Sequence, residues 1–135
     1  MRSYDAYIKS MLKKRILFID DERLVREVIY EMLSDMDSDV KVEETGKEGI
    51  RTFIGRPEEF DLVLTDLMMF DMMGDEIAER ISAIRPDIPV VVMTGTPDAL
   101  PSSKAKAAGV CKVLAKPLTK AELREGLLGA LSHDC

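Results

Sequence analysis

The sequence is poor in cysteine and has no long apolar run. Its two cysteines, Cys111 and Cys135, lack the spacing of metal-binding cysteines, and no secretory leader precedes them. We therefore expect free thiols and a reduced, cytoplasmic protein. No apolar stretch approaches the roughly 20 residues of a membrane-spanning helix. We therefore do not expect the chain to span a membrane.

Basic charge is also scarce. There are 19 Lys and Arg residues against 25 Asp and Glu, so the formal net charge is −6. Direct nucleic-acid binding needs a basic surface and is not expected. Hydrophobic residues make up 46% and charged residues 33% of the 135 residues, which indicates one globular domain with its own core.

Five short apolar stretches divide the chain: residues 16–19, 40–42, 62–65, 90–93 and 113–115. Segments with helical periodicity separate them, which predicts an α/β protein with five β-α units and a doubly wound parallel sheet. Four stretches are almost continuously hydrophobic, as is typical of strands covered on both faces. Residues 39–43 alternate instead, which predicts an edge strand.

Apolar stripes predict four of the five helices. They comprise Leu24, Val25, Val28, Ile29, Met32, Leu33 and Met36; Ile50, Phe53 and Ile54; Ile77, Ala78, Ile81 and Ile84; and Leu123, Leu127, Leu128 and Leu131. Thr45 with Glu48, and Thr119 with Glu122, are typical capping boxes. The fourth helix has no stripe, and Pro101 interrupts it. We expect it to be short, late in starting or mobile.

The predicted domain covers residues 14–132 and leaves an extension and a tail. Residues 1–13 have apolar positions at helical spacing, which favours an amphipathic turn packed on the domain over a dimer contact. Residues 133–135 form the C-terminal tail. Whether the domain stands alone or belongs to a longer protein is left open.

Polar side chains follow four of the five predicted strands. They are Asp20 and Asp21 after the first, Asp66 after the third, Thr94 after the fourth and Lys116 after the fifth. In an open parallel sheet, ligands bind beyond the carboxyl ends of the strands. We therefore expect these side chains to meet at one edge and form the functional site.

Three neighbouring carboxylates favour a hard divalent cation, because like charges repel unless a cation is supplied. We expect Mg²⁺, with Asp21 and Asp66 as direct ligands, Asp20 acting through water, and a backbone carbonyl just after Asp66. Lys116 and Thr94 suit a phosphoryl group. A free oxygen of Asp66 could attack phosphorus and give an aspartyl phosphate.

The chain resembles the receiver domains of two-component response regulators, including the chemotaxis receiver. The matching segments are FIDDE, LTDLMMFDMMG, VVVMTG and VLAKPLT, and the similarity covers about residues 14–132. The resemblance implies a flavodoxin-like (βα)5 fold with strand order 2-1-3-4-5. It also implies a signal-transduction phosphoprotein of a phosphorelay.

The resemblance assigns roles to individual residues. Asp66 would accept a phosphoryl group from a phosphohistidine of a sensor kinase or histidine phosphotransfer protein. Mg²⁺ would be held by Asp20, Asp21, Asp66 and the Met68 carbonyl. Lys116 and Thr94 would bind the phosphoryl group, and the Lys116–Pro117 bond would be cis. The fourth helix, fifth strand and fifth helix would contact a second copy, a partner or an output domain.

Two departures from the family pattern bear on the mechanism. Phe70 stands where relatives commonly carry proline, and Val113 occupies the position of the aromatic switch residue. Rotation of an aromatic ring therefore cannot report phosphorylation here. We hypothesise that the protein signals by ordering or shifting its fourth helix.

Three other functions compete with this interpretation. A phosphatase of the haloacid dehalogenase type needs a second Asp two residues after the nucleophile, where this chain has Met68, so we do not expect an enzyme. A flavodoxin-like cofactor carrier needs a phosphate loop after the first strand, where Asp21 and Glu22 would repel the anion. A pseudo-receiver that only binds a partner would not need all five site side chains.

Overall fold

Five parallel strands form one sheet in the computed structural model, which describes residues 13–133 and residue 135. The predicted N-terminal extension lies, apart from Lys13, outside the described residues. The strands are β1 (Arg15–Ile19), β2 (Asp39–Glu43), β3 (Leu62–Asp66), β4 (Val90–Thr94) and β5 (Val110–Ala115). Their order is β2-β1-β3-β4-β5, and every neighbouring pair is parallel. The predicted fold class and strand order are confirmed.

Helices cover both faces of the sheet. They are α1 (Arg23–Asp35), α2 (Gly46–Gly55), α3 (Gly74–Ile84), α4 (Ser102–Ala107) and α5 (Lys120–Leu131). Successive side chains of a strand point to opposite faces, so Phe18 packs in the same cluster as Leu33 and Leu127, on the side of α1 and α5. Leu17 and Ile19 pack in the opposite cluster with residues of α2 and α3. Each fully buried aliphatic or aromatic side chain of this kind stabilises the fold by about 1.5–3 kcal/mol.

The two edge strands differ from the central ones in burial. β2 lies at one edge, as its alternation predicts, and alternates between exposed and half-buried side chains. β5 lies at the other edge and is mostly half-buried. It begins at Val110, three residues before the predicted stretch, because Lys112 interrupts the apolar run without ending the strand.

The predicted helix stripes are too wide in three helices. Leu24 and Val28 of α1 are 71% and 52% exposed, and Ile54 and Ile84 are also exposed. A helix buries one limited stripe against a sheet, and the remaining apolar positions face solvent. In α1 the most buried residues are Ile29 and Leu33.

Of the two predicted capping boxes, one is complete and the other is half formed. The hydroxyl of Thr119 accepts from the Glu122 amide and the Glu122 carboxylate accepts from the Thr119 amide, so this capping box is complete. At α2 the Thr45 hydroxyl accepts from the Glu48 amide, which is one half of the predicted box. The fourth helix has six residues and starts after a 3₁₀ turn at Pro97–Ala99, so it is short and late, as predicted.

The cysteines correct one expectation. Cys111 and Cys135 form a disulfide, with their Cα atoms 4.7 Å apart, whereas their sequence spacing predicted free thiols. The prediction was wrong because α5 runs back along the sheet and returns the chain to the first residues of β5. Within residues 13–133 and residue 135, no helix is long and apolar enough to cross a membrane.

Candidate functional site at the carboxyl edge of the sheet

The carboxyl ends of β1, β3, β4 and β5 carry the polar residues that the sequence singled out. Asp66 and Thr94 are the last residues of β3 and β4, while Asp20 and Lys116 directly follow β1 and β5. The Lys116 Nζ atom lies 2.9 Å from Asp66 Oδ1. The topology therefore brings an ammonium and a carboxylate that are 50 positions apart into direct contact.

Asp66 is almost completely buried and firmly held. Its Oδ1 accepts a hydrogen bond from the Leu67 amide at 3.1 Å in addition to the ion pair with Lys116. The backbone on either side is also fixed, because the Leu67 amide donates to Met93 and the Lys116 amide donates to Thr94. The Lys116–Pro117 peptide bond is cis. Both of these contacts fall on Oδ1, and neither involves Oδ2.

Three carboxylates converge beside this ion pair. One oxygen of each of Asp20, Asp21 and Asp66 can be chosen so that all lie within 4.8 Å of one another. Asp20 has no exposed surface. Burial is the main reason that the pKa of its carboxyl is raised from 3.8 to about 6; the Glu22 amide opposes this rise, and the Asp66 charge adds to it.

The donor set fits a hard divalent cation. Asp20 Oδ1 accepts from the Glu22 amide at 2.9 Å, but Oδ2 is buried and has no hydrogen-bond partner among the described residues. An unpartnered buried carboxylate oxygen is costly, and a cation or its coordinated water would satisfy it. Mg²⁺ prefers oxygen ligands and commonly uses one or two carboxylates. Asp20, Asp21 and Asp66 could therefore hold such an ion.

Residues 67–73 form the β3–α3 loop, which rims the acidic cluster. The Phe70 amide donates to Asp21 Oδ2 at 2.8 Å, and the Gly74 amide closes the loop by donating to the Leu67 carbonyl at 2.7 Å. A Cβ on Gly74 would lie 2.5 Å from the Asp66 carbonyl oxygen, so only glycine fits at this closure. The loop also contains Met68, whose carbonyl is a predicted metal ligand and whose side chain is exposed.

Thr94 lies at the site, but its hydroxyl is engaged elsewhere. It accepts from the Thr96 amide at 3.0 Å and lies 3.2 Å from the Thr96 hydroxyl. The Thr96 hydroxyl in turn lies 3.7 Å from the Met68 sulfur. Thr94 is thus linked to the segment that leads into α4, and the structure does not bring its hydroxyl into contact with Asp66.

Sequence reasoning missed two side chains that link the segments bordering the site. Arg26 of α1 donates to the Asp20 carbonyl at 3.1 Å and pairs with Glu44 at 3.3 Å. Asp71 accepts from two amides of α2. The periodicity of the sequence predicts neither contact. Asp71 is visible as an acid in the segment FDMMG, but its partner Gly46 lies 25 positions away.

The fold and the site together define a class of protein. It is a doubly wound α/β domain with an acidic cluster and a lysine at the carboxyl edge of its sheet. The family model that matches the chain, the response regulator receiver domain, covers residues 16–128. The chain belongs to this family.

Known proteins similar to this chain agree with that assignment. The transcriptional regulatory protein GlrR of Escherichia coli is 30% identical over 122 residues, which cover 88% of this chain and 26% of the relative. The chain thus spans about a quarter of the length of this relative. A receiver domain protein from Clostridium thermocellum has a similar structure, with a TM-score of 0.82 and 28% identity over 90% of this chain and 96% of that one.

A third similar protein was solved with ligands. The response regulator TrrA from Thermotoga maritima, in complex with Mg²⁺ and BeF, has a TM-score of 0.76 and 27% identity over 84% of this chain and 96% of that one.

Proposed function

We propose that this receiver domain accepts a phosphoryl group on Asp66 in a Mg²⁺-dependent two-component phosphorelay. The observation that carries the proposal is the 2.9 Å contact between Lys116 Nζ and Asp66 Oδ1, next to the carboxylates of Asp20 and Asp21. The donor is a phosphohistidine of a sensor kinase or of a histidine phosphotransfer protein.

The chemical step needs little from the protein beyond position and charge. Asp66 Oδ2 forms a bond to phosphorus while the P–N bond of the donor phosphohistidine breaks. The imidazole leaves with the bonding electron pair and takes a proton. The Lys116 ammonium, already beside Asp66, balances the negative charge that the phosphoryl oxygens bring to the buried site.

The acidic cluster supports a metal requirement. Bound Mg²⁺ would supply the positive charge that lets a phosphoryl anion approach three carboxylates. Asp20, Asp21, Asp66 and the Met68 carbonyl would hold it. The similar protein TrrA binds Mg²⁺ together with BeF, which is consistent with this role.

We do not propose that the domain hydrolyses external phosphoesters. A phosphatase with an aspartyl nucleophile needs a general acid to protonate its leaving group. The residue two positions after Asp66 is Met68, whose thioether cannot donate a proton. The phosphoryl group on Asp66 is therefore a signal and not an intermediate of a hydrolytic enzyme.

We also propose that the signal leaves through the segment from Gly95 to Gly109, which includes α4. A movement of the Thr94 hydroxyl towards phosphorylated Asp66 would break its hydrogen bond with the Thr96 amide, where this segment begins. The segment is weakly anchored, since Leu100, Ala105 and Ala108 are its buried side chains. α4, β5 and α5 then form the face that contacts a second copy, a partner or an output domain.

Intact-mass spectrometry tests phosphoryl acceptance. Treatment with acetyl phosphate and Mg²⁺ should add one phosphoryl group to the parent protein and none to Asp66→Asn. EDTA in place of Mg²⁺ should prevent the addition. Equal labelling of the parent and the variant would contradict the role of Asp66.

Amide hydrogen exchange tests the route of the signal. With Mg²⁺ and beryllium fluoride as a phosphoryl mimic, the protection of residues 95–109 should change relative to the metal-free protein. Asp66→Asn under the same conditions is the control and should stay unchanged. Unaltered protection of this segment in the parent protein would exclude α4 as the responding element.

A further inference from the structure

The β3–α3 loop is held to the rest of the domain by two carboxylates. On one side, Asp21 accepts from the Phe70 amide. On the other side, Asp71 reaches the first turn of α2, where its two oxygens accept from the Gly46 amide at 3.0 Å and the Lys47 amide at 2.9 Å. The loop is thus tied to the acidic cluster through the Phe70 amide and to α2 through the Asp71 carboxylate.

The contact between Asp71 and α2 is a cap supplied from outside the helix. The first amides of a helix have no partner within it, and an acid at this end also meets the positive end of the helix dipole. Partial desolvation raises the pKa of the Asp71 carboxyl, but the Lys47 and Gly46 amides outweigh it and bring the pKa below its ordinary value. Asp71 therefore accepts both bonds as a carboxylate at neutral pH.

The backbone is shaped to permit this cap. A Cβ on Gly46 would lie 2.8 Å from the Met72 Cβ and 3.3 Å from Asp71 Oδ1. The loop and the start of α2 are thus in direct contact, with no room for a side chain between them. Glycine at position 46 is what allows the loop to come this close.

The geometry of the metal site depends on this loop. It carries the Met68 carbonyl, a proposed ligand, and the Phe70 amide, which orients the exposed carboxylate of Asp21. Residue 70 is not proline, so no ring restricts its φ angle. The shape of the loop between Leu67 and Gly74 therefore rests on its hydrogen bonds, and Asp71 makes two of them.

We propose that Asp71 is a positioning residue of the metal and phosphoryl site: by fixing the β3–α3 loop to the start of α2, it sets the Met68 carbonyl and the Asp21 carboxylate for the cation. This inference rests on the proposed function of the site. Asp71 acts through the loop and is not itself a ligand.

Magnesium titration by isothermal calorimetry on metal-free protein tests this role. Asp71→Ala should weaken Mg²⁺ affinity on the order of tenfold, the lower end of the range for residues that orient metal ligands. Asp71→Asn retains one acceptor oxygen, so its Mg²⁺ affinity should fall by only about threefold. The grading follows from the number of acceptor oxygens that remain for the Gly46 and Lys47 amides.

Thr45→Ala is the matched control. It removes the other side-chain cap of the same helix, the bond from the Glu48 amide to the Thr45 hydroxyl, without touching the β3–α3 loop. It should lower the urea midpoint of unfolding by an amount similar to that of Asp71→Ala and leave Mg²⁺ affinity unchanged.

The outcomes separate this inference from the proposed function. If the parent protein binds Mg²⁺ and Asp71→Ala binds it equally well, or no more weakly than Thr45→Ala, Asp71 is only a helix cap and the inference is overturned. If the parent protein itself binds no Mg²⁺, the proposed function fails and the inference falls with it.

Discussion

Asp20→Asn should make the metal-free protein more stable at neutral pH, although it removes a residue of the proposed site. The Asp20 side chain has no exposed surface, one of its oxygens is unpartnered, and the charges of Asp66 and Asp21 lie close to it. The rise of its pKa from 3.8 to about 6 corresponds to about 3 kcal/mol of destabilisation when the carboxyl is ionised. A neutral amide of the same shape removes this cost.

The pH dependence follows from the direction of the shift. The folded state binds the Asp20 proton more tightly than the unfolded state, whose pKa is near 3.8. The stabilisation from this proton is fully present below about pH 3.8 and is lost as the pH rises through about 6. The difference in stability between Asp20→Asn and the parent should therefore grow across this window and level off above it.

Urea unfolding followed by far-UV circular dichroism measures the effect, since the chain has no tryptophan. In EDTA at pH 7.5 the midpoint of Asp20→Asn should exceed that of the parent by about 1–2 M urea, and the two midpoints should approach each other at pH 4. Addition of Mg²⁺ should stabilise the parent more than the variant. A variant that is equally stable or less stable at pH 7.5 would refute the argument that the buried charge is uncompensated.

Other perturbations should act through named contacts. Lys116→Ala should tighten Mg²⁺ binding in a calorimetric titration by roughly threefold or more, because the ammonium no longer neutralises Asp66; unchanged or weaker binding would contradict this. Reduction of the Cys111–Cys135 disulfide, which joins residues 24 positions apart, should lower the free energy of unfolding by about 3 kcal/mol, as measured with and without a phosphine reductant. Thr119→Ala should cost about 1 kcal/mol by chemical denaturation, because it breaks a complete capping box.

The fold could be predicted from the sequence because its signals are local and repeated. Four strands are apolar on both faces, and β2 alternates, which identified the parallel sheet and one of its edges. The five strand-end residues could be named for a related reason, since a parallel sheet delivers its strand ends to one edge. The distances between these side chains could not be predicted, because they depend on the order and register of the strands. The contact between Lys116 and Asp66 is an example.

The parts that could not be predicted depend on distant partners. Asp71 is one acid among several in a methionine-rich loop, and only the packing of that loop on Gly46 gives it a function. The disulfide depends on where α5 returns the chain, which spacing alone does not reveal. The prediction that Leu24 belongs to the buried stripe of α1 failed for a different reason. An apolar residue beside such a stripe can face solvent without large cost.

Chemical trapping of the modified residue tests the central claim most directly. After incubation with acetyl phosphate and Mg²⁺, borohydride reduction converts an aspartyl phosphate to homoserine, and peptide mapping locates it. The account predicts homoserine at position 66 in the parent protein, with Asp20 and Asp21 unmodified and no homoserine in Asp66→Asn. Homoserine at another aspartate, or its absence from a protein that binds Mg²⁺, would contradict the assignment of Asp66 as the phosphoryl acceptor.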